Sequence, residues 1–229
     1  MGRIARIVIP GLPHHITQRG NRRQETFFSN VDYRIYLRLM ARWCEKQNVE
    51  IWCYCLMPNH IHLIAVPEAE HSLARAIGEA HRSYTCYVNE KKGWKGYLWQ
   101  GRFSSFPLDE PHLLAAVRYI ELNPLRGGLV SDPAKYPWSS CRAHLSGTDD
   151  VLVKAKPLLS LVSDWRGFLF QGLSEQDKET IEKHERTGRP LGSDSFIDKL
   201  ERLTSLTLKK RKPGPKSAKE LRELRGHNT

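Results

Sequence analysis

The stretch Met57-Pro58-Asn59-His60-Ile61-His62-Leu63-Ile64-Ala65-Val66 decides how the chain folds. Pro58-Asn59 is a turn signal lying between two apolar runs. The first is Val49-Glu50-Ile51-Trp52-Cys53-Tyr54-Cys55-Leu56, so the pair is expected to form a β-hairpin. Side chains alternate along a strand, so His60 and His62 leave one face while Ile61 and Leu63 enter the other. Two imidazoles on one pleat can clamp a metal ion, because histidine gives up its proton near pH 6.5. A half-buried strand whose histidines bind nothing would read the same, and the pair alone does not decide. By the same alternation Cys53 and Cys55 share a face with Ile51 and Met57, which suits core packing.

Outward from the hairpin, His14-His15-Ile16-Thr17-Gln18-Arg19 alternates like a strand, and Gly20-Asn21-Arg22-Arg23-Gln24 follows as a polar loop. His14 and His15 would face opposite sides, so at most one could join a metal site, and neither is counted among the ligands. Two adjacent arginines in such a loop can hold phosphates, or can simply be solvated. Apolar residues at helical spacing predict helices over 31–47 and 72–89, and Glu110-Pro111 opens a third that Pro124 ends or kinks. Between the last two lie the basic, glycine-broken loop Lys91-Lys92-Gly93-Trp94-Lys95-Gly96 and a strand near 98–106. Such a loop can stack a nucleic-acid base, or can be a surface loop anchored by its tryptophan. The order β α β β α β α implies an α+β fold: a ferredoxin-like (RRM-like) antiparallel sheet with helices packed on one face. Residues 1–141 form the expected principal domain. Residues 142–229 form a mostly helical and irregular basic extension, with a polar helix over 174–186 and an amphipathic one over 194–206.

Composition narrows the partners. The 229 residues carry 36 Lys and Arg against 25 Asp and Glu, a net charge of +11, which favours a polyanionic partner. The run Lys209-Lys210-Arg211-Lys212 concentrates that charge near the end of the chain, where attraction to phosphates is the expected use. Five cysteines without a C-x-x-C pair speak against a disulfide framework and a zinc ribbon. With no apolar h-region and no apolar run of about 18 residues, the expectation is a soluble cytoplasmic protein.

Tyr119 and Asn123 lie four apart on the third predicted helix and so share a face. If that helix packs on the sheet, Asn123 could lend a carbonyl oxygen to a metal on His60 and His62 while Tyr119 aims at a phosphorus. Taken singly, the tyrosine reads as a core-edge aromatic and the asparagine as the end of a helix.

Four blocks in order carry a resemblance. They are His15-Ile16-Thr17-Gln18-Arg19-Gly20-Asn21-Arg22-Arg23 with Phe27 and Phe28; Met57-Pro58-Asn59-His60-Ile61-His62; Trp99-Gln100-Gly101-Arg102-Phe103; and Tyr119-Ile120-Glu121-Leu122-Asn123-Pro124-Leu125-Arg126-Gly127-Gly128-Leu129-Val130. Over residues 13 to 141 the chain resembles the single-tyrosine HUH transposases (IS200-like), most closely their REP-associated tyrosine transposase branch. The resemblance implies a divalent cation, Mg²⁺ or Mn²⁺, on His60, His62 and Asn123. It makes Tyr119 the nucleophile that forms a 5′-phosphotyrosine and frees a 3′-hydroxyl. It implies single-stranded DNA beside a REP-like hairpin as substrate, with Arg19, Asn21, Arg22, Arg23 and Arg102 as DNA contacts. The REP-associated branch implies a monomer rather than a homodimer, and a bacterial, nucleoid-associated setting. Two other readings stay open: a domesticated hairpin-binding protein without catalysis, and a metal-dependent RNA nuclease.

Overall fold

The structure, a computed structural model, describes residues 6–209. These divide into a unit that ends at Ser193 and a second that starts at Asp194. The first is built on strands β1 (His14–Arg19), β2 (Val49–Met57), β3 (His60–Pro67) and β4 (Ser104–Pro107). They form one sheet in the order β2-β3-β1-β4, antiparallel at every pairing. Helices α1 (Asn30–Lys46) and α2 (Ser72–Lys92) supply the two connections of a ferredoxin-like fold. They pack together over one sheet face, burying Tyr36, Met40, Leu73, Ile77 and Tyr84 against Ile16, Ile61 and Leu63.

The hairpin turns at Pro58-Asn59 as expected, and the loop after β1 clamps it: Thr26 N donates to the Pro58 carbonyl (2.8 Å) and Gly20 N to that of Asn59 (2.8 Å). A Cβ on Gly20 would collide with the Gln24 carbonyl, so this approach requires glycine. One expectation fails inside β2. Ile51 pairs with Ala65, but Cys53 pairs with the very next partner, Ile64. This β-bulge at Trp52 reverses the alternation, so Ile51 joins the α1/α2 side while Cys53, Cys55 and Met57 face the other.

That other face is covered by α3 (Glu110–Glu121), so helices lie on both sides of the sheet. Asp109 caps α3 by accepting from His112 N, and Pro111 sits in its first turn. Leu113, Ala116, Val117 and Ile120 form its buried stripe. The helix breaks after Glu121 and resumes as α4 (Asn123–Arg126), with Pro124 at the joint.

Residues 142–193, assigned by sequence to the extension, belong to the first unit. They form α5 (Cys141–Ser146), α6 (Lys156–Leu159), α7 (Trp165–Phe170) and α8 (Glu175–Thr187). Together with residues 136–140 they cover both edges of the sheet. Leu56 N donates to the Trp138 carbonyl (2.8 Å) and Lys154 N to that of Ile51 (2.7 Å) along β2, while Leu191 N reaches Pro107 O (3.0 Å) along β4. An uncovered edge would offer unpaired amides to a second chain. The second unit begins with α9 (Asp194–Thr204). Among the described residues no helix is long and apolar enough to cross a membrane.

His81 on α2 lies buried against Tyr36, with Nε2 2.9 Å from its hydroxyl, and burial lowers its pKa from 6.5 to about 3. The unfolded chain takes up this proton below pH 6.5 and the folded one does not until about 3, so stability falls as pH drops through that window. We expect His81 alone to account for a loss of about 2 kcal/mol between pH 6.5 and pH 5. Urea unfolding of wild type and His81→Gln at both pH values should show a shallower dependence in the variant.

Candidate functional site

The β1–β3 register sets Thr17 opposite His62 and Arg19 opposite His60, so His15, Thr17, Arg19, His60 and His62 all point to the α3 side of the sheet. The rings of His60 and His62 lie 5.0 Å apart, and the Tyr119 ring lies 5.5 Å from His62. An open cleft of about 630 Å³ is lined by Arg19, Arg23, His60, His62, Arg102 and Tyr119 together with Gln18, Gln100, Glu182, Glu185 and Arg186. Six residues singled out in the sequence thus meet in one place. Asn21 and Arg22 share the turn with Arg23 but stand outside the lining. Asn123 also stands outside it: it is buried at the start of α4, and its Nδ2 has no hydrogen-bond partner. Lys209 belongs to the second unit and pairs with Asp198 at 2.6 Å, while Lys210, Arg211 and Lys212 lie outside the described residues.

Four residues enter the site that sequence reasoning passed over. His15, left out of the ligand set, has its Nε2 3.1 Å from His62 Nδ1. Glu185 of α8 brings Oε1 to 3.5 Å from the same His62 atom and to 3.7 Å from His15 Nε2. Asn59 donates from Nδ2 to the Arg23 carbonyl (3.1 Å), so its Oδ1 faces His60 Nδ1 at 2.6 Å. Because a carbonyl only accepts, the His60 proton sits on Nδ1 and leaves Nε2 with a lone pair. Arg126 lies over the Tyr119 ring at 4.2 Å. Strand parity could have suggested His15 once β1 was paired with β3; Glu185 gave no local signal at all.

The donors suit a divalent cation. His15, His62 and Glu185 offer ligand atoms within 4.8 Å of one another; His15 Nδ1, His62 Nε2 and Glu185 Oε1 are buried without a hydrogen-bond partner. Burial lowers the pKa of His15 to about 3 and, helped by Arg19, that of His60 to about 4. Both are therefore neutral at pH 7 with lone pairs to give. Burial raises Glu185 to about 8, the environment of a carboxylate that lacks a neutralising charge. Burial also raises the Tyr119 phenol, so it is protonated at rest.

What fixes Tyr119 on the cleft is Glu121, two residues along α3 and buried. Its carboxylate accepts from Ser140 Oγ (2.7 Å) and Trp165 Nε1 (2.9 Å), and His144 Nδ1 lies 2.6 Å away. His144 Nε2 must donate to the Trp52 carbonyl (3.0 Å), so one proton lies between His144 and Glu121 whichever carries it. The end of α3 is thereby tied to β2, α5 and α7.

A family model described as "Transposase IS200 like" matches residues 9–123, a range that runs from the approach to β1 through Tyr119 to Asn123. A curated Haemophilus influenzae protein described as a REP-associated tyrosine transposase is 29% identical over 108 residues, covering 42% of this chain. The match spans 61% of the length of that relative. A solved structure of the REP-associated tyrosine transposase bound to a REP hairpin aligns with a TM-score of 0.52 and 22% identity, over 66% of this chain and 90% of that one, which speaks to the fold.

Removing the Glu121 carboxylate strands three buried partners. Glu121→Ala should lower stability by roughly 3–5 kcal/mol, measurable by urea unfolding at pH 7, whereas Glu79→Ala, which breaks only the exposed Arg82–Glu79 ion pair on α2 (2.8 Å), should change it by under about 1 kcal/mol.

Proposed function

The chain belongs to the IS200-like transposase family, and from that premise we propose that it cleaves and rejoins single-stranded DNA beside hairpins through a covalent tyrosine intermediate. The observation that carries the reading is the convergence of Tyr119 with His60 and His62 in a cleft rimmed by Arg19, Arg23 and Arg102. A phenol, a neutral histidine pair and guanidinium groups are what attack on a phosphodiester needs: a nucleophile, a seat for a cation and an anchor for phosphates.

The phenol is protonated at rest, so Tyr119 must lose its proton as its oxygen attacks phosphorus; Glu182 lines the cleft outside the proposed ligand set and is the proposed acceptor. The new O–P bond forms as the bond to the 3′ oxygen breaks, leaving a 5′-phosphotyrosine and a 3′-hydroxyl. Attack by a 3′-hydroxyl on that linkage reverses the exchange, so joining needs no nucleotide cofactor. A bound Mg²⁺ or Mn²⁺ would supply Lewis-acid polarisation of the scissile phosphate. His60 and His62 are its proposed ligands; Glu185, whose ligand atom lies within 4.8 Å of those of His62 and His15, is the proposed carboxylate, a donor hard cations prefer, and Asn123 is the competing third ligand.

Hairpin DNA enters this proposal from the relative whose solved structure holds a REP hairpin. Arg19, Arg23 and Arg102 would hold phosphates in the cleft, with Asn21 and Arg22 beside it, and the run Lys209-Lys210-Arg211-Lys212 would attract phosphates on its own account. The extension after residue 142 takes part through Glu182, Glu185 and Arg186 of α8. Because one chain supplies every group, a monomer suffices.

Incubation with Mn²⁺ and a hairpin oligonucleotide carrying a single-stranded flank should yield a denaturant-resistant adduct. Tyr119→Phe should abolish it, and His60→Ala should reduce its rate more than about 100-fold. An adduct formed by Tyr119→Phe would show that another residue is the nucleophile. Cleavage of the matching RNA in preference would favour a ribonuclease, and salt-sensitive binding without cleavage in any divalent metal a pure hairpin binder. Titration with Mn²⁺ followed by electron paramagnetic resonance separates the ligand sets: Glu185→Ala should weaken binding about 10- to 100-fold, and Asn123→Ala less.

A further inference from the structure

The loop between α2 and β4 is not used by the chemistry above. It leaves α2 at Gly93 (φ 65°) and turns again at Gly96 (φ 95°). Asn89 holds both turns: its carbonyl accepts from Trp94 N (2.8 Å) and its side-chain amide donates to the Gly96 carbonyl (3.0 Å). The loop therefore has a built shape, and it displays aromatic rings to solvent. Tyr97 is 87% exposed and Trp94 44%. Trp94 is propped edge-on by Phe28, ring centroids 5.7 Å apart, while Tyr97 makes no ring contact or hydrogen bond among the described residues.

The same loop carries cations. Lys92 Nζ stands 4.2 Å over the Phe28 ring and 5.9 Å from that of Trp94, and Lys95 is exposed. Asp32 takes up only Lys91 (2.6 Å). The loop then runs straight into the cleft. Asn21 N donates to the Leu98 carbonyl (2.8 Å) and Gln100 N to that of Arg19 (2.8 Å). Tyr97 is thus one residue from the anchor of the Asn21–Arg23 turn and three from Gln100, a span of at most about 11 Å. In that turn Arg22 and Arg23 both adopt positive φ, 53° and 62°, a conformation that residues with a Cβ avoid and that clusters at functional positions.

We propose that Tyr97, with Trp94 and the loop cations Lys92 and Lys95, is a base-stacking platform for the unpaired strand that leaves the cleft. The inference rests on the single-strand reading above. Exposed rings among cations are the means by which proteins hold unpaired nucleic acid without reading its sequence, because every base has a face to stack. Continuity with the phosphate-binding turn favours a strand over a protein partner, which would leave that continuity unused.

The test compares two oligonucleotides with the same hairpin stem, one bare and one with a short unpaired extension, by fluorescence anisotropy with the full chain. The wild type should bind the extended form more tightly. Tyr97→Ala should lose that gain by roughly 5- to 100-fold and bind the bare hairpin as the wild type does, while Tyr97→Phe keeps the gain. With an abasic extension, which has phosphates but no bases, wild type and Tyr97→Ala should bind equally. Wild-type affinity of Tyr97→Ala for the extended form, or an equal loss on the abasic one, would overturn the platform. Adduct formation at saturating DNA separates the two readings. If Tyr97→Ala forms the adduct and binds the extension normally, the platform fails and the catalysis stands. If no substrate gives an adduct but the extension still binds through Tyr97, the catalysis fails and the platform stands.

Discussion

The buried carboxylate of Glu121 is the constraint on which the site depends. An acidic side chain without access to water is tolerated only when its oxygens are matched, and here Ser140, His144 and Trp165 match them. Those partners come from later segments, so the network closes only when α5 and α7 are docked and His144 has met the β2 carbonyl of Trp52. Tyr119 lies on the same helix two residues earlier and turns to the cleft as Glu121 turns to the core. The position of Tyr119 is therefore inherited from the packing of residues far along the chain.

Electrostatics within the cleft divide by depth. The floor holds histidines that burial keeps uncharged and a carboxylate that burial pushes up. The rim holds arginines. Such a layering suits a polyanion at the rim and a small cation at the floor, two attractions that would reinforce each other.

Much of this was legible in the sequence because it rests on local pattern. Strand alternation gave the hairpin and put His60 beside His62, helical periodicity gave α1 to α3, and the proline at 124 marked the joint before α4. What escaped needed pairing information. His15 could be placed only through the β1–β3 register. Glu185 lies on a polar helix whose periodicity says nothing of the sheet it approaches. Asn59 reads as a turn residue until its amide is seen bridging Arg23 and His60. Alternation also misled at Ile51, since a bulge leaves no mark in a run of apolar residues.

That bulge at Trp52 has an effect beyond the strand. Unbroken alternation would have turned Tyr54 and Leu56 toward α3 and sent Cys53 and Cys55 to the opposite layer. With the phase reversed, the bulky pair fills the α1/α2 side and two compact thiols are left beneath the tyrosine helix. The room in which Glu121 gathers its partners, with Cys53 Sγ lying 3.4 Å from Ser140 Oγ, is a vacancy created by one extra residue in a neighbouring strand.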